Sequence, residues 1–456
     1  MEERNEIILK TINRLIAASK IDKVTDVLGK LYSADAAEIV EHLDEEDQRK
    51  IFEVWAPDQS AGALLEMGEE SQVDIAESLN ISVISEILNE MPSDDAADLI
   101  ADLSKETAEK IFAAMKPEVV ADVRSLLKHG EETAGGLMNP EFITLKKDMT
   151  AQEAINELRR RASDVEIIHY VFVVNDENQL VGVVSLKDLI IASPKTPIRE
   201  IMNPDVISVE VGTDQEEIAK IISKYNLLAL PVIDREHKLL GVVTIDDVLD
   251  VVEDEATEDM YKLSGTIDIE ESDVMSSPFS RVLQARLPWL AIALVGEVVI
   301  VGAIAEHFKY LLITLPALAV YWACMTSIGG NCSFQASTVA VRDLATGHLD
   351  SKAIFLRVIK ETRLALIMGI ITGVALFLIA SVWQSYLPLA IIVSVANVLI
   401  IVLGAFTGTV VPFLFNLVGI DPAVSSNPFL ALVMDAISLF VYFYIAVLVL
   451  EKYTVF

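Results

Sequence analysis

Charge is distributed along this chain as though it were two proteins. Residues 1–280 carry 60 Asp and Glu against 26 Lys and Arg, whereas residues 281–456 carry 8 against 9. The chain is therefore strongly acidic overall, net −33, yet its mean hydropathy is positive at +0.45. Only an acidic, solvated half joined to an apolar, membrane-embedded half accounts for both values. The negative field excludes nucleic acid as a partner. The apolar half argues equally against a secreted protein or an ordinary soluble enzyme. The N-terminus, MEERNEIILK, lacks the apolar core of a signal peptide, which predicts that the acidic half stays in the cytoplasm. Cys324 and Cys332 lie in or beside an apolar stretch and offer neither a disulfide framework nor a cysteine zinc site.

Five stretches reach the roughly 20 apolar residues that a bilayer core requires. They are Leu287–Ala305, Tyr310–Gly330, Leu364–Trp383, Leu387–Phe415 and Pro428–Leu450. Arg281 and Arg286 precede the first, and Arg342, Lys352, Arg357, Lys360 and Arg363 lie between the second and third. Only Lys309 separates the first two, and no charge separates the third from the fourth. The positive-inside rule thus predicts a cytoplasmic N-terminus and, with five crossings, an external C-terminal tail, EKYTVF.

Two carboxyl groups fall within these stretches, Glu297 in the first and Asp435 in the fifth. Such charges are expensive in a membrane and mark ion or proton paths; a hydrogen bond between helices is the structural alternative. Asn427 is a natural N-cap with Pro428 at the first helical position. Asn427, Ala431 and Asp435, spaced i, i+4 and i+8, share one stripe of oxygen ligands of the kind hard divalent cations prefer. That stripe reads as a pore lining. Gly329, Gly330, Asn331 and Gln335 end the second stretch with flexible and polar residues, which points to unwound backbone beside a cavity. Gly404, Gly408 and Pro412 point to a kink or to close helix packing.

Between about 138 and 255 the chain repeats itself. LMNPEFITL followed by YVFVVNDENQLVGVVSLKDLI corresponds to IMNPDVISV followed by LALPVIDREHKLLGVVTIDDVL. Each copy reads β-α-β-β-α, and neither is large enough to bury a full core alone. The pattern resembles a tandem of CBS domains. Resemblance implies an adenine nucleotide as candidate ligand of Ser185/Asp188 or Thr244/Asp247, while a helix cap is the other reading of the same spacing.

Residues 1–130 read as short helices, with SADAAEIVEHL and SDDAADLIADL as near copies preceded by Ser/Asp cap signals. Between Lys50 and Lys105 there are 13 acids and no base. From Asp246 to Asp273 there are 12 acids and one lysine, Lys262, much of the run forming one predicted helix. Asp247, Asp250, Asp254 and Glu258 stack like charges on that helix, a repulsion that bound cations would relieve. A merely solvated face is the alternative. Acidic surfaces that meet only when cations lie between them form a simple sensor.

Taken together, the acidic helices, the ETAGGLM junction, the CBS pair, the acidic helix, the QASTVAVRDLATG segment and GIDPAVSSNP followed by Asp435 resemble the MgtE magnesium channel family over nearly the whole chain. The resemblance implies a mostly α fold in five parts. Residues 1–130 form an acidic helical N domain, 131–200 and 201–253 the two CBS domains, 254–280 an acidic connecting (plug) helix, and 281–456 a five-span pore domain. It further implies a homodimer in the plasma membrane in which Asp435 holds hydrated Mg2+, with Asn427 and Ala431 nearby. Cytosolic Mg2+ bridging Asp95, Asp214, Glu216, Asp247, Asp250, Glu255, Glu258 and Asp259 would close the pore. The chain departs from the family at GGNCSFQ, which keeps Asn331 and Gln335 but has Cys332 and Phe334, at Asn226, and at Glu297. Glu297 leaves a proton-coupled transporter as a second reading, and a membrane-anchored nucleotide sensor is a third. No phosphate-binding glycine loop, nucleophile elbow or histidine metal motif supports an enzyme.

Overall fold

The computed structural model describes residues 2–161, 168–266, 279–345, 351–424 and 427–453. Two compact units emerge, residues 1–253 and 254–456, and the boundary falls inside one continuous acidic helix, Ile245–Leu263.

The first unit begins with ten short helices between Glu2 and Leu126. Most bury one apolar stripe, as in Ile84, Ile87 and Leu88, and turn most of their acids to water, although Asp94 is buried. The expected caps are displaced by one residue: Ser33 and Ser93 are the first helical residues, after Tyr32 and Pro92. Ser93 instead donates to Glu141 Oε1 at 2.8 Å, whereas Ser104 does cap its helix by accepting from the Thr107 N–H.

Two three-stranded sheets follow. In the first, β1 (Thr144–Lys146) runs parallel to β2 (Tyr170–Val174), which pairs antiparallel with β3 (Leu180–Ser185). In the second, β4 (Val209–Glu210), β5 (Ala229–Ile233) and β6 (Leu239–Thr244) repeat that order. The repeated motifs mate across the copies. Asn139 of the first Met-Asn-Pro bridges Val242 of the second Gly-Val-Val, and Asn203 bridges Val183 reciprocally. The glycines permit it, because a Cβ on Gly182 would come within 2.6 Å of Met202 Sδ. Neither copy closes its core alone, and Phe172 and Val174 share a cluster with Ile233 and Val242.

The second unit contains long helices: Phe279–Gly296, continued through a π-helical turn Glu297–Val301 and Gly302–His307, then Leu318–Ala345, Ser351–Gln384, Leu387–Leu417 and Asn427–Tyr453. Among the described residues four segments are long and apolar enough to cross a membrane: Phe279–His307, Ala353–Gln384, Leu387–Leu417 and Pro428–Tyr453. The second expected crossing, Tyr310–Gly330, differs. Pro316, which supplies no N–H, interrupts the helix, and the long element starts at Leu318 rather than Tyr310. It then runs unbroken through Gly329–Gln335 to Ala345, so the backbone expected to unwind there is helical. The reason lies in packing: a Cβ on Gly404 would sit 2.8 Å from the Gly329 carbonyl oxygen, and one on Gly408 only 2.1 Å from that of Ser333. These glycines bring two helix backbones together, and the helix bearing Gly404, Gly408 and Pro412 is itself continuous.

Candidate pore and cation-sensing residues

Asp435 lies on the helix Asn427–Tyr453, which begins at Asn427 with Pro428 second. This helix packs against Leu318–Ala345, Leu387–Leu417 and the first apolar segment. Tyr442 anchors it by donating to the Leu318 carbonyl at 3.0 Å. Asp435 and Ala431 are both partly buried, while Met434 and Ser438 on the adjacent face are fully buried. Met434 and Ser438 abut Gly329.

The first segment brings a second carboxyl to this helix. Gly296 rests on Leu432, where a Cβ would approach Leu432 Cδ2 to 2.3 Å, and the next residue, Glu297, is the hydrogen-bonding neighbour of Asp435. Two carboxyl groups in contact hold either a proton or a cation between them, since two bare charges repel strongly away from water. Sequence reading found both residues but not their contact. Asn331 and Gln335 share an exposed face of their helix, one turn apart, and Gly330 has open space beside it. The 425–426 part of GIDPAVSSNP and residues 346–347 of QASTVAVRDLATG lie outside the described residues.

In the first unit the expected sensing residues divide into several groups. Asp214 caps the helix Gln215–Tyr225 by accepting from the Glu216 N–H at 2.9 Å, and Glu216 pairs with Lys220. Asn226 ends that helix at φ +51°, a left-handed C-cap that Asn tolerates well. Asp247 accepts from the Thr244 hydroxyl at 2.5 Å and the Thr244 N–H at 3.2 Å. Ser185 likewise donates its hydroxyl to Asp188 Oδ2 at 2.6 Å, but here the backbone bond runs the other way, the Asp188 N–H donating to Ser185 Oγ at 3.1 Å. Ser185 thus caps its helix, while at the second pair the Asp247 carboxylate reaches back to the residue before its helix. Burial, ahead of the neighbouring Asp246 and Asp250, raises the Asp247 carboxyl above its ordinary range.

Asp98, which sequence reading did not single out, feels several of these charges at once. The residue as a whole is exposed, yet burial around the carboxyl, then Glu131, Asp102, Asp247 and Glu69, pushes that group up to about 7. The available signal was the base-free run between Lys50 and Lys105. Asp95 sits in the first turn of the same helix, three residues away. Among the described residues no three side chains of metal-ligating type converge on one point. Asp250, Glu255 and Asp259 project from the acidic helix Ile245–Leu263, on which Glu258 pairs with Lys262. The acids at 268–273 lie outside the described residues.

Short acidic helices, a reciprocal CBS pair and long apolar helices carrying an intramembrane carboxyl pair define a membrane protein of the ion-transporting class. Residues 322–445 match the MgtE family, described as a divalent cation transporter, residues 11–132 its intracellular N domain, and residues 134–195 and 198–254 the CBS domain. The magnesium transporter MgtE of Thermus thermophilus is 35% identical over 430 residues, covering 93% of this chain and 95% of that protein. That of Enterococcus faecalis is 33% identical over 448 residues, covering 98% and 97%. A crystal structure of the cytosolic domain of the Mg2+ channel MgtE in complex with ATP is 34% identical. It has a TM-score of 0.52 and covers 53% of this chain and 99% of its own. The chain belongs to the MgtE family of magnesium transporters.

Proposed function

We propose that the chain is a homodimeric Mg2+ channel of the plasma membrane, not an enzyme, and that cytosolic Mg2+ closes it. The observation that carries this reading is Asp435, a carboxyl midway along an apolar helix packed on two others, in a chain alike over nearly its full length to named magnesium transporters. In a symmetric dimer two copies of Asp435, with Ala431 and Asn427 on the same stripe, would line one axis and attract a hydrated dication. Asn331 supplies a further polar group to the path. Five crossings, with Leu318–Ala345 as the second, keep the basic segment around Arg357 and Lys360 inside and the C-terminus outside.

Closure would follow from charge. Glu131, Asp102, Asp247 and Glu69 all repel Asp98, and cations bound to these residues and to Asp95, Asp214, Glu216, Asp250, Glu255, Glu258 and Asp259 would favour the compact state by differential affinity. An adenine nucleotide, of the kind the relative's cytosolic domain is in complex with, would compete at Thr244 and Asp247 with the hydrogen bonds those residues form.

The test is Mg2+ uptake into liposomes containing the purified protein, with internal Mg2+ varied. Uptake suppressed by internal Mg2+ and abolished by Asp435→Ala is expected; equal uptake by that variant and the parent would sink the pore assignment. The Glu297–Asp435 contact favours one second reading, proton-coupled transport. It requires uptake that a proton ionophore abolishes at clamped voltage and that Glu297→Gln removes.

A further inference from the structure

The acidic helix Ile245–Leu263 contains a single base, Lys262, in its last turn. That ammonium does not only answer its own helix. It pairs with Glu258 one turn back and also reaches 159 residues along the chain to Asp421 Oδ2, at 2.8 Å. The other oxygen of Asp421 accepts the Ala423 N–H at 2.8 Å, which fixes the carboxylate at the turn preceding the helix of Asp435. Lys262 is 23% exposed and Asp421 36%, so the pair is only partly screened by water. Both flanking carboxylates, with the Asp421 hydrogen bond first, hold the Lys262 ammonium above its ordinary range despite burial.

A second contact lies beside the first. The acidic helix ends with the Gly265 N–H on the Lys262 carbonyl, and with the Thr266 N–H and hydroxyl on the Tyr261 carbonyl. Gly265 adopts φ +76°, and a Cβ there would come within 2.5 Å of Pro428 Cγ. Only glycine serves at this point, for conformation and for space alike. Pro428 opens the helix that carries Asp435 seven residues on, about 10 Å along its axis. The end of the acidic helix is thus held to the start of the Asp435 helix by one ion pair and one close backbone approach.

We propose that Lys262 is a built-in cation that latches the acidic helix onto the entrance of the Asp435 helix and so favours the closed pathway. At this one junction its ammonium neutralises Glu258 and Asp421 together, as a divalent ion would elsewhere on the acidic face. At this contact the ammonium itself supplies the positive charge between the two carboxylates, and the demand for Mg2+ falls on the acids upstream. This rests on the Mg2+-closed channel proposed above. Without Lys262, Glu258 and Asp421 confront each other unshielded, and closure needs more cation.

The experiment uses the full chain in liposomes and reads the internal Mg2+ concentration that halves the flux, so that changes in flux amplitude cancel. Lys262→Gln and Asp421→Asn should each raise that concentration about five-fold, the lower end of ordinary coupling between sites. The exchanged pair, Lys262→Asp with Asp421→Lys, restores the attraction in reverse and should return it towards the parent. Single variants that close at the parental concentration overturn the latch while leaving the channel reading intact. A parent whose flux ignores internal Mg2+ overturns both.

Discussion

The two units invert each other's relation between polarity and depth. In residues 1–253 the interior is mainly apolar, with Phe52, Leu64, Ile84 and Ile111 fully buried, and most charges face out. In residues 254–456 large apolar side chains face out, with Val382 at 84% and Ile371 at 65% exposure, while Asn397, Thr409 and Ser438 are fully buried. Asn397 uses its depth to donate to Thr372 Oγ1 at 2.8 Å across two helices. The difference follows from solvent. Water rewards hiding hydrocarbon, whereas lipid rewards hiding polar groups and close backbone packing.

That contrast can be attacked at several points, the largest effect first. Gly408→Leu, which forces a side chain into the Ser333 backbone, should abolish a stable detergent-solubilised second unit; a parental melting profile would show that the helices can separate at no cost. Ile84→Ala should destabilise the first unit by about 2–5 kcal/mol, and Ile371→Ala the second by far less, although the lesion is chemically the same. Equal losses in chemical denaturation would erase the distinction between water-facing and lipid-facing surfaces.

A smaller effect is electrostatic. Because the folded-state carboxyl of Asp98 rises to about 7, the folded unit binds more protons than the unfolded chain between pH about 4 and 7. Stability contributed by this group is therefore lost as pH rises through that window, and Asp247 acts in the same direction. In Mg2+-free buffer the first unit should melt lower at pH 8 than at pH 6, and Asp98→Asn should flatten the difference. A slope that the variant leaves unchanged would place the repulsion elsewhere. Smallest of all, Ser185→Ala removes a cap and should lower stability by about 1 kcal/mol. A loss several times larger, measured by denaturant titration, would mean that the hydroxyl does more than cap.

The sequence by itself determined what depends on local pattern and on solvent. Charge segregation divided the chain, hydropathy marked the long helices, and the repeated Met-Asn-Pro and Gly-Val-Val runs implied two mutually dependent copies. Asp435 was legible because an isolated carboxyl in apolar surroundings needs no tertiary context to stand out. Tertiary structure alone decided what depends on groups distant in sequence. It kept Gly329–Gln335 helical, because Gly404 and Gly408 let a second backbone close upon it. It set Asp98 among Glu131, Asp247 and Glu69, and Glu297 against Asp435. It also joined Lys262 to Asp421. Hydropathy and helical period record which face of a segment leaves its solvent, but they do not encode which other segment that face will meet.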